Sequence, residues 1–202
     1  MTRIWAVLLI VAIGIPGICF ADYSDTIPTV FKVGTKWEWR ATAGGRAFSG
    51  TEEVVRATPS GYTIRRIFSD GVTVTREINL DLNPVRNQKR SGITIEYNPP
   101  YPLLYFPLRL GTTSTHEYTS ERGRHYRVLL EVVSIGTEQT TTGNQRVVTI
   151  RATHTTSTEE GADGTETIKY VSGLGVISTS CKECGESWEM TRFSPATEVS
   201  SR

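Results

Sequence analysis

The sequence is poor in the residues that usually carry chemistry. Among 202 residues there are three cysteines, two methionines, three histidines and five aspartates. Neither sign of charge is in excess, since 22 lysines and arginines face 21 aspartates and glutamates. A neutral chain has no electrostatic footprint for nucleic acid, so no such partner is expected. The basic residues that gather at 86–90 and 122–127 read as solvated faces. No glycine-rich phosphate loop opens a helix, and no Gly-x-Ser-x-Gly elbow is present. Beyond residue 21 no apolar run reaches the roughly 20 residues that span a bilayer, so no integral membrane span is expected.

The first 21 residues have the pattern of a secretory signal peptide. Arg3 supplies the positive start, Ile4 to Ile15 the apolar run, and Cys19-Phe20-Ala21 a small-x-small cleavage site. The expected mature chain begins at Asp22 and is exported, periplasmic or secreted. A lipoprotein anchored at Cys19 is the less favoured alternative, because Ile18 stands where lipid attachment wants a small residue.

Residues 22–202 read as one all-β domain. Turn signals recur at short intervals: Gly44-Gly45, Pro59-Ser60-Gly61, Ser69-Asp70-Gly71, Ser91-Gly92, Glu121-Arg122-Gly123 and Thr142-Gly143. Strands are expected near 36–43, 46–57, 62–68, 72–80, 112–120, 124–135, 146–156, 165–171, 176–180 and 187–193. The fold expected is an antiparallel meander forming a half-barrel, rolled sheet or sandwich, arranged as one body or as two lobes, 22–97 and 106–193. Between them lies 98–105, where Pro99, Pro100 and Pro102 exclude helix and central strand. Its Leu and Tyr content predicts an extended connector packed on the body. The opening Phe31-x-x-Gly34-x-x-Trp37-x-Trp39 has a looser copy at Phe106–Gly111, followed by His116 and Tyr118. Aligning Trp37 with His116 matches Trp39 with Tyr118 but leaves the glycines two residues out of step. A duplication is one explanation and chance another.

A three-residue loop at 69–71 pairs Tyr62 with Ile78. It puts Tyr62, Ile64, Phe68, Val72, Val74, Ile78 and Leu80 on one face. Arg66 and Arg76 fall on that same apolar face, where an unpaired guanidinium is costly. Either the face is partly open, with stems packed and heads in water, or the arginines meet carboxylates or a bound anion. The first is the preferred expectation. Trp37 and Trp39, two apart, share a strand face and are expected as core aromatics, with an exposed ligand-binding stripe as the alternative. These four residues, Arg66, Arg76, Trp37 and Trp39, are the candidate binding residues.

Cys181 and Cys184 are expected to form a disulfide across a hairpin turn. A redox site would want a helix N-terminus at the first cysteine, and a zinc ribbon a second cysteine pair. His116, His125 and His154 have no metal-ligand spacing, and Glu52 and Glu53 point to opposite strand faces. No metal, no cofactor and no catalytic residue is therefore expected.

Phe31 to Trp39, Phe106-Pro-Leu-Arg-Leu-Gly111 and Gly173-Leu-Gly-Val-Ile177 together resemble an exported bacterial family of unknown function. That family carries Phe-Pro-Leu-x-x-Gly-x-x-Trp near its start and a late Pro-Gly-Val-Gly-Leu-Val segment. Here Lys32 and Ser172 replace the prolines. The resemblance implies an all-β fold similar to lipoprotein-carrier half-barrels and brings no catalytic residues. The function expected is a non-catalytic periplasmic binding or carrier module with an apolar concave face. Its partner would be an apolar or amphipathic ligand. The alternative is a structural or protein-interaction component of the cell envelope with no small ligand, discriminated by asking what copurifies with the exported protein.

Overall fold

Twelve antiparallel strands and no helix make up the computed structural model, which describes residues 28–119, 125–156 and 164–197. The expected signal peptide, Cys19, and the turn at 121–123 lie outside these residues. In chain order the strands are β1 (Lys36–Ala43), β2 (Arg46–Thr58), β3 (Gly61–Phe68), β4 (Thr73–Asn79), β5 (Pro84–Gln88) and β6 (Thr94–Glu96). They continue as β7 (Thr113–Thr119), β8 (His125–Thr140), β9 (Gly143–Thr156), β10 (Gly164–Val171), β11 (Gly175–Cys181) and β12 (Glu186–Ser194). All belong to one sheet in the order β6-β5-β4-β3-β2-β1-β12-β11-β10-β9-β8-β7. The all-β meander expected from the turn signals is present, as a single unclosed sheet.

The chain starts at the midline, walks outward to the β6 edge, crosses to the β7 edge, and walks back to the midline at β12. Residues 97–112 make the crossing. Leu103, Leu104 and Leu108 of this connector are buried in the core. Asn83 holds it in place: its Oδ1 accepts from the amides of Leu103 and Leu104, both at 2.8 Å, and its Nδ2 donates to the Leu104 carbonyl at 2.9 Å. The prolines remove amide donors that a ladder would have used, so side-chain bonds of this kind take over.

The sheet is strongly curved. Side chains of β4 and β10, six places apart in the strand order, line one cavity. A flat sheet would hold those strands about 29 Å apart at roughly 4.8 Å per strand. The inner face carries one hydrophobic cluster, with Trp37, Trp39, Val54, Ile64 and Ile78 from one half and Val128, Leu130, Val132, Ile150 and Tyr170 from the other.

The two six-strand halves repeat in detail. Gly34 N donates to Val54 O at 2.8 Å, and Gly111 N to Val132 O at 2.9 Å. Thr35 N donates to Lys32 O, and Thr112 N to Arg109 O, both at 3.0 Å. A bulge follows Val54 against β3 and Val132 against β9. Thr58 Oγ1 caps Gly61 O at 3.1 Å, and Thr140 Oγ1 caps Gly143 O at 2.8 Å. Leu82 N reaches Asn79 O as Leu174 N reaches Val171 O. The glycines therefore align without a gap, which corrects the two-residue offset read from the tryptophans. Trp37 corresponds to Ser114 and Trp39 to His116.

Two other expectations change. The first concerns β8, which runs to Thr140 rather than stopping near 135, because Gly136 is tolerated in the ladder opposite Val147. The second concerns the β3–β4 hairpin. It has the expected register, Tyr62 opposite Ile78, with Phe68 N bonded to Val72 O and Gly71 at φ 85°. Yet Leu80, at its far end, lies exposed outside the core.

Candidate functional site

Between the halves lies a partly open cavity of about 400 Å³. Equivalent residues of the repeat both line it: Leu82 and Leu174, Pro84 and Val176, and Asn87 and Thr179. Phe31, Trp37, Ile78, Met190 and Trp188 complete an apolar wall, and Tyr101 and Leu103 of the connector cover it. Phe31 is fixed by ring contacts to Trp37 at 5.5 Å and to Tyr62 at 5.6 Å between centroids.

Charge enters this wall from the first half. Strand alternation points Trp37, Glu52, Arg66 and Arg76 inward from four adjacent strands, with Trp37 opposite Glu52 and Glu52 opposite Arg66 in the ladder. Glu52 is only 2% exposed, and Oε1 of its carboxylate accepts from both Nε and Nη2 of Arg66. The Arg66 guanidinium also lies 5.0 Å from the Trp39 ring centroid, a cation–π contact. Arg76 has no such pairing: its Nε is sealed from solvent and has no hydrogen-bond partner. Burial lowers the Arg76 pKa, the Glu52 charge opposes that shift, and the Arg66 charge adds to it.

Of the two expectations for the arginines, Arg66 follows the second and meets a carboxylate. Arg76 is half-buried, with its Nε shut inside. Trp37 and Trp39 are core aromatics, buried to 7% and 2% exposure, and Trp37 also lines the cavity. Glu52 was missed as a site residue. The alternation Phe48, Gly50, Glu52, Val54 on one strand face would have placed it among apolar neighbours, opposite the arginine.

On the connector side, Tyr101 lies close to the Glu166 carboxylate. Its pKa is raised well above the ordinary tyrosine value, first by burial and then by the Glu166 charge. His154 stacks on Tyr101 at 6.3 Å and lies 3.7 Å from Glu166. His116 Nε2 is 2.8 Å from Ser114 Oγ, and His125 Nδ1 is 3.0 Å from Thr119 Oγ1. Among the described residues no group of three His, Cys, Asp or Glu is placed to hold a metal ion. Cys181 and Cys184 are disulfide-bonded across the β11–β12 turn, with Cα atoms 5.2 Å apart. A larger depression, about 680 Å³, lies over the ends of β7, β8 and β9. Its walls are mostly exposed side chains such as Glu117, His125 and Arg127, whereas the inner cavity is lined mostly by buried and half-buried ones.

No family model and no curated protein matches the sequence. Two solved structures resemble the fold distantly. One is a protein of Bacteroides fragilis NCTC 9343 assigned as exported, with a YmcC-like fold, at 14% identity and a TM-score of 0.47 over 84% of this chain and 99% of that one. The other is a protein of Parabacteroides distasonis ATCC 8503 assigned as a lipoprotein, at 10% identity and a TM-score of 0.46 over the same shares.

Proposed function

We propose that the chain is a non-catalytic, exported binding or carrier module that holds an apolar or amphipathic ligand inside its curved sheet. The observation that carries this reading is the cavity of about 400 Å³ between the two halves. Its volume falls within the roughly 300–1,000 Å³ of ordinary ligand sites, and such sites combine apolar walls with a few placed polar groups. An unclosed sheet with no helix on its face must fill that face with its own side chains or with a guest. Here the connector fills part and leaves the rest open.

The test is titration with a neutral naphthylamine dye. Saturable fluorescence enhancement at one site per chain, displaced by lipids extracted from the exported protein, is the expected result. Linear, non-displaceable signal would leave the envelope-interaction role as the working reading.

A further inference from the structure

We propose that the first half of the cavity is a seat for the anionic head of an amphiphile, with Arg76 as its principal contact. This rests on the ligand-binding reading of the cavity and adds the chemical class of the guest. Arg76 is half-buried, and sealing its Nε from water without a partner is costly. The nearby carboxylate, Glu52, is already engaged by Arg66. Glu52, Arg66 and Arg76 together therefore carry one positive charge that nothing among them neutralises.

The repeat supplies an internal control. Ladder register makes Glu52, Arg66 and Arg76 the counterparts of Leu130, Ala152 and Ile168. All three of those are buried and apolar. The same fold thus closes the same positions with no polar atom at all. The charged set is not a requirement of the sheet, and the cost it carries is explained by what it binds.

The unpartnered atoms agree on the sign of the guest. Among the described residues, the buried side-chain polar atoms without a partner are Trp39 Nε1, Arg76 Nε and Trp188 Nε1. All three are N–H donors, and Arg76 and Trp188 both line the cavity. The carboxylates there are otherwise engaged or peripheral: Glu52 is paired, Glu166 lies 3.7 Å from His154, and Glu186 is exposed. Orphan donors ask for an acceptor, and a charged acceptor suits a guanidinium best. Phe31, Trp37, Ile78, Leu82, Val176 and Met190 give the rest of the wall an apolar stretch between polar groups such as Asn87 and Thr179, so the guest carries one carboxylate or phosphate head on an alkyl or aryl body.

The experiment uses terminally brominated undecanoate and undecanol, read by quenching of the cavity tryptophans, Trp37 and Trp188. The acid is expected to bind more tightly than the alcohol by roughly tenfold to a hundredfold, the span that a charge-assisted hydrogen bond supplies. Arg76→Met should bring the acid down to the alcohol's affinity, leave the alcohol unchanged, and raise Tm. Trp188→Phe, which keeps an aromatic ring and removes the N–H, is the second variant and should weaken the acid alone. Competition then names the head: dodecanoate displacing best assigns a carboxylate, and dodecyl phosphate displacing best a phosphate. Equal affinity for acid and alcohol, unchanged acid binding in Arg76→Met, or dodecylammonium competing as well as either anion would overturn the seat while leaving a neutral apolar pocket. Failure of all probes to bind overturns both the seat and the ligand-binding reading.

Discussion

Glu52 is carried by its neighbours, and removing either partner has unequal consequences. Arg66→Met leaves a buried carboxylate unpaired, and a loss of about 3–5 kcal/mol is expected. The double change Glu52→Leu with Arg66→Ala copies the pair found at Leu130 and Ala152. It should recover most of that loss, because an apolar replacement of a buried ion pair is often neutral or better. Urea midpoints of the two variants decide, and a double variant no more stable than Arg66→Met would refute the pairing. The position of Arg66 and Arg76 on the apolar face was legible from the 62–80 hairpin, since its loop length set the register. Their surroundings were not. A partner two strands from Arg76 is chosen by pairing between segments, and nothing in 62–80 announces Glu52.

At the level of the strand, the same β2 sequence serves both faces. Glu53, next to Glu52, points outward and joins β1 to β3: Lys36 Nζ lies 3.5 Å from its Oε1, and Arg65 Nη2 2.5 Å from its Oε2. The Arg65 hydrogen bond, above all, lowers the Glu53 pKa from the ordinary 4.5. A carboxylate depressed in the folded state contributes stability fully above its unfolded pKa and loses it as pH falls through the folded one. Stability should therefore fall below pH 4.5 in the natural chain, and Glu53→Gln should be less stable at neutral pH by the increment that the natural chain loses in acid, so that the two curves converge as pH falls. Denaturation midpoints across acid pH measure it, and parallel curves for the two proteins would count against the bridge. Strand positions were largely legible because turn residues punctuate them. The extension of β8 was not, because a glycine in a ladder and one in a turn look alike until the partner strand is known.

For the molecule as a whole, the connector matters as much as any strand. Leu104 is 1% exposed, and Leu104→Ala should cost about 2–5 kcal/mol. Because the connector packs against both halves, the loss should appear as one cooperative thermal transition shifted downward, seen alike by tryptophan fluorescence and circular dichroism. Two separated transitions would mean that the halves melt independently. That residues 98–105 pack on the body was readable from their prolines, leucines and tyrosines. That they bridge opposite edges was not, since strand order is set by pairings distant in sequence. The greatest such distance is at the midline, where Lys36 meets Ser194. During synthesis β1 therefore waits, with one flank unpaired, until every other strand has been made. Throughout that interval it offers an open edge to the β12 of another copy. Crowded expression should thus favour exchanged dimers in which each molecule completes the other's centre, and slow dilution during refolding should favour the monomer.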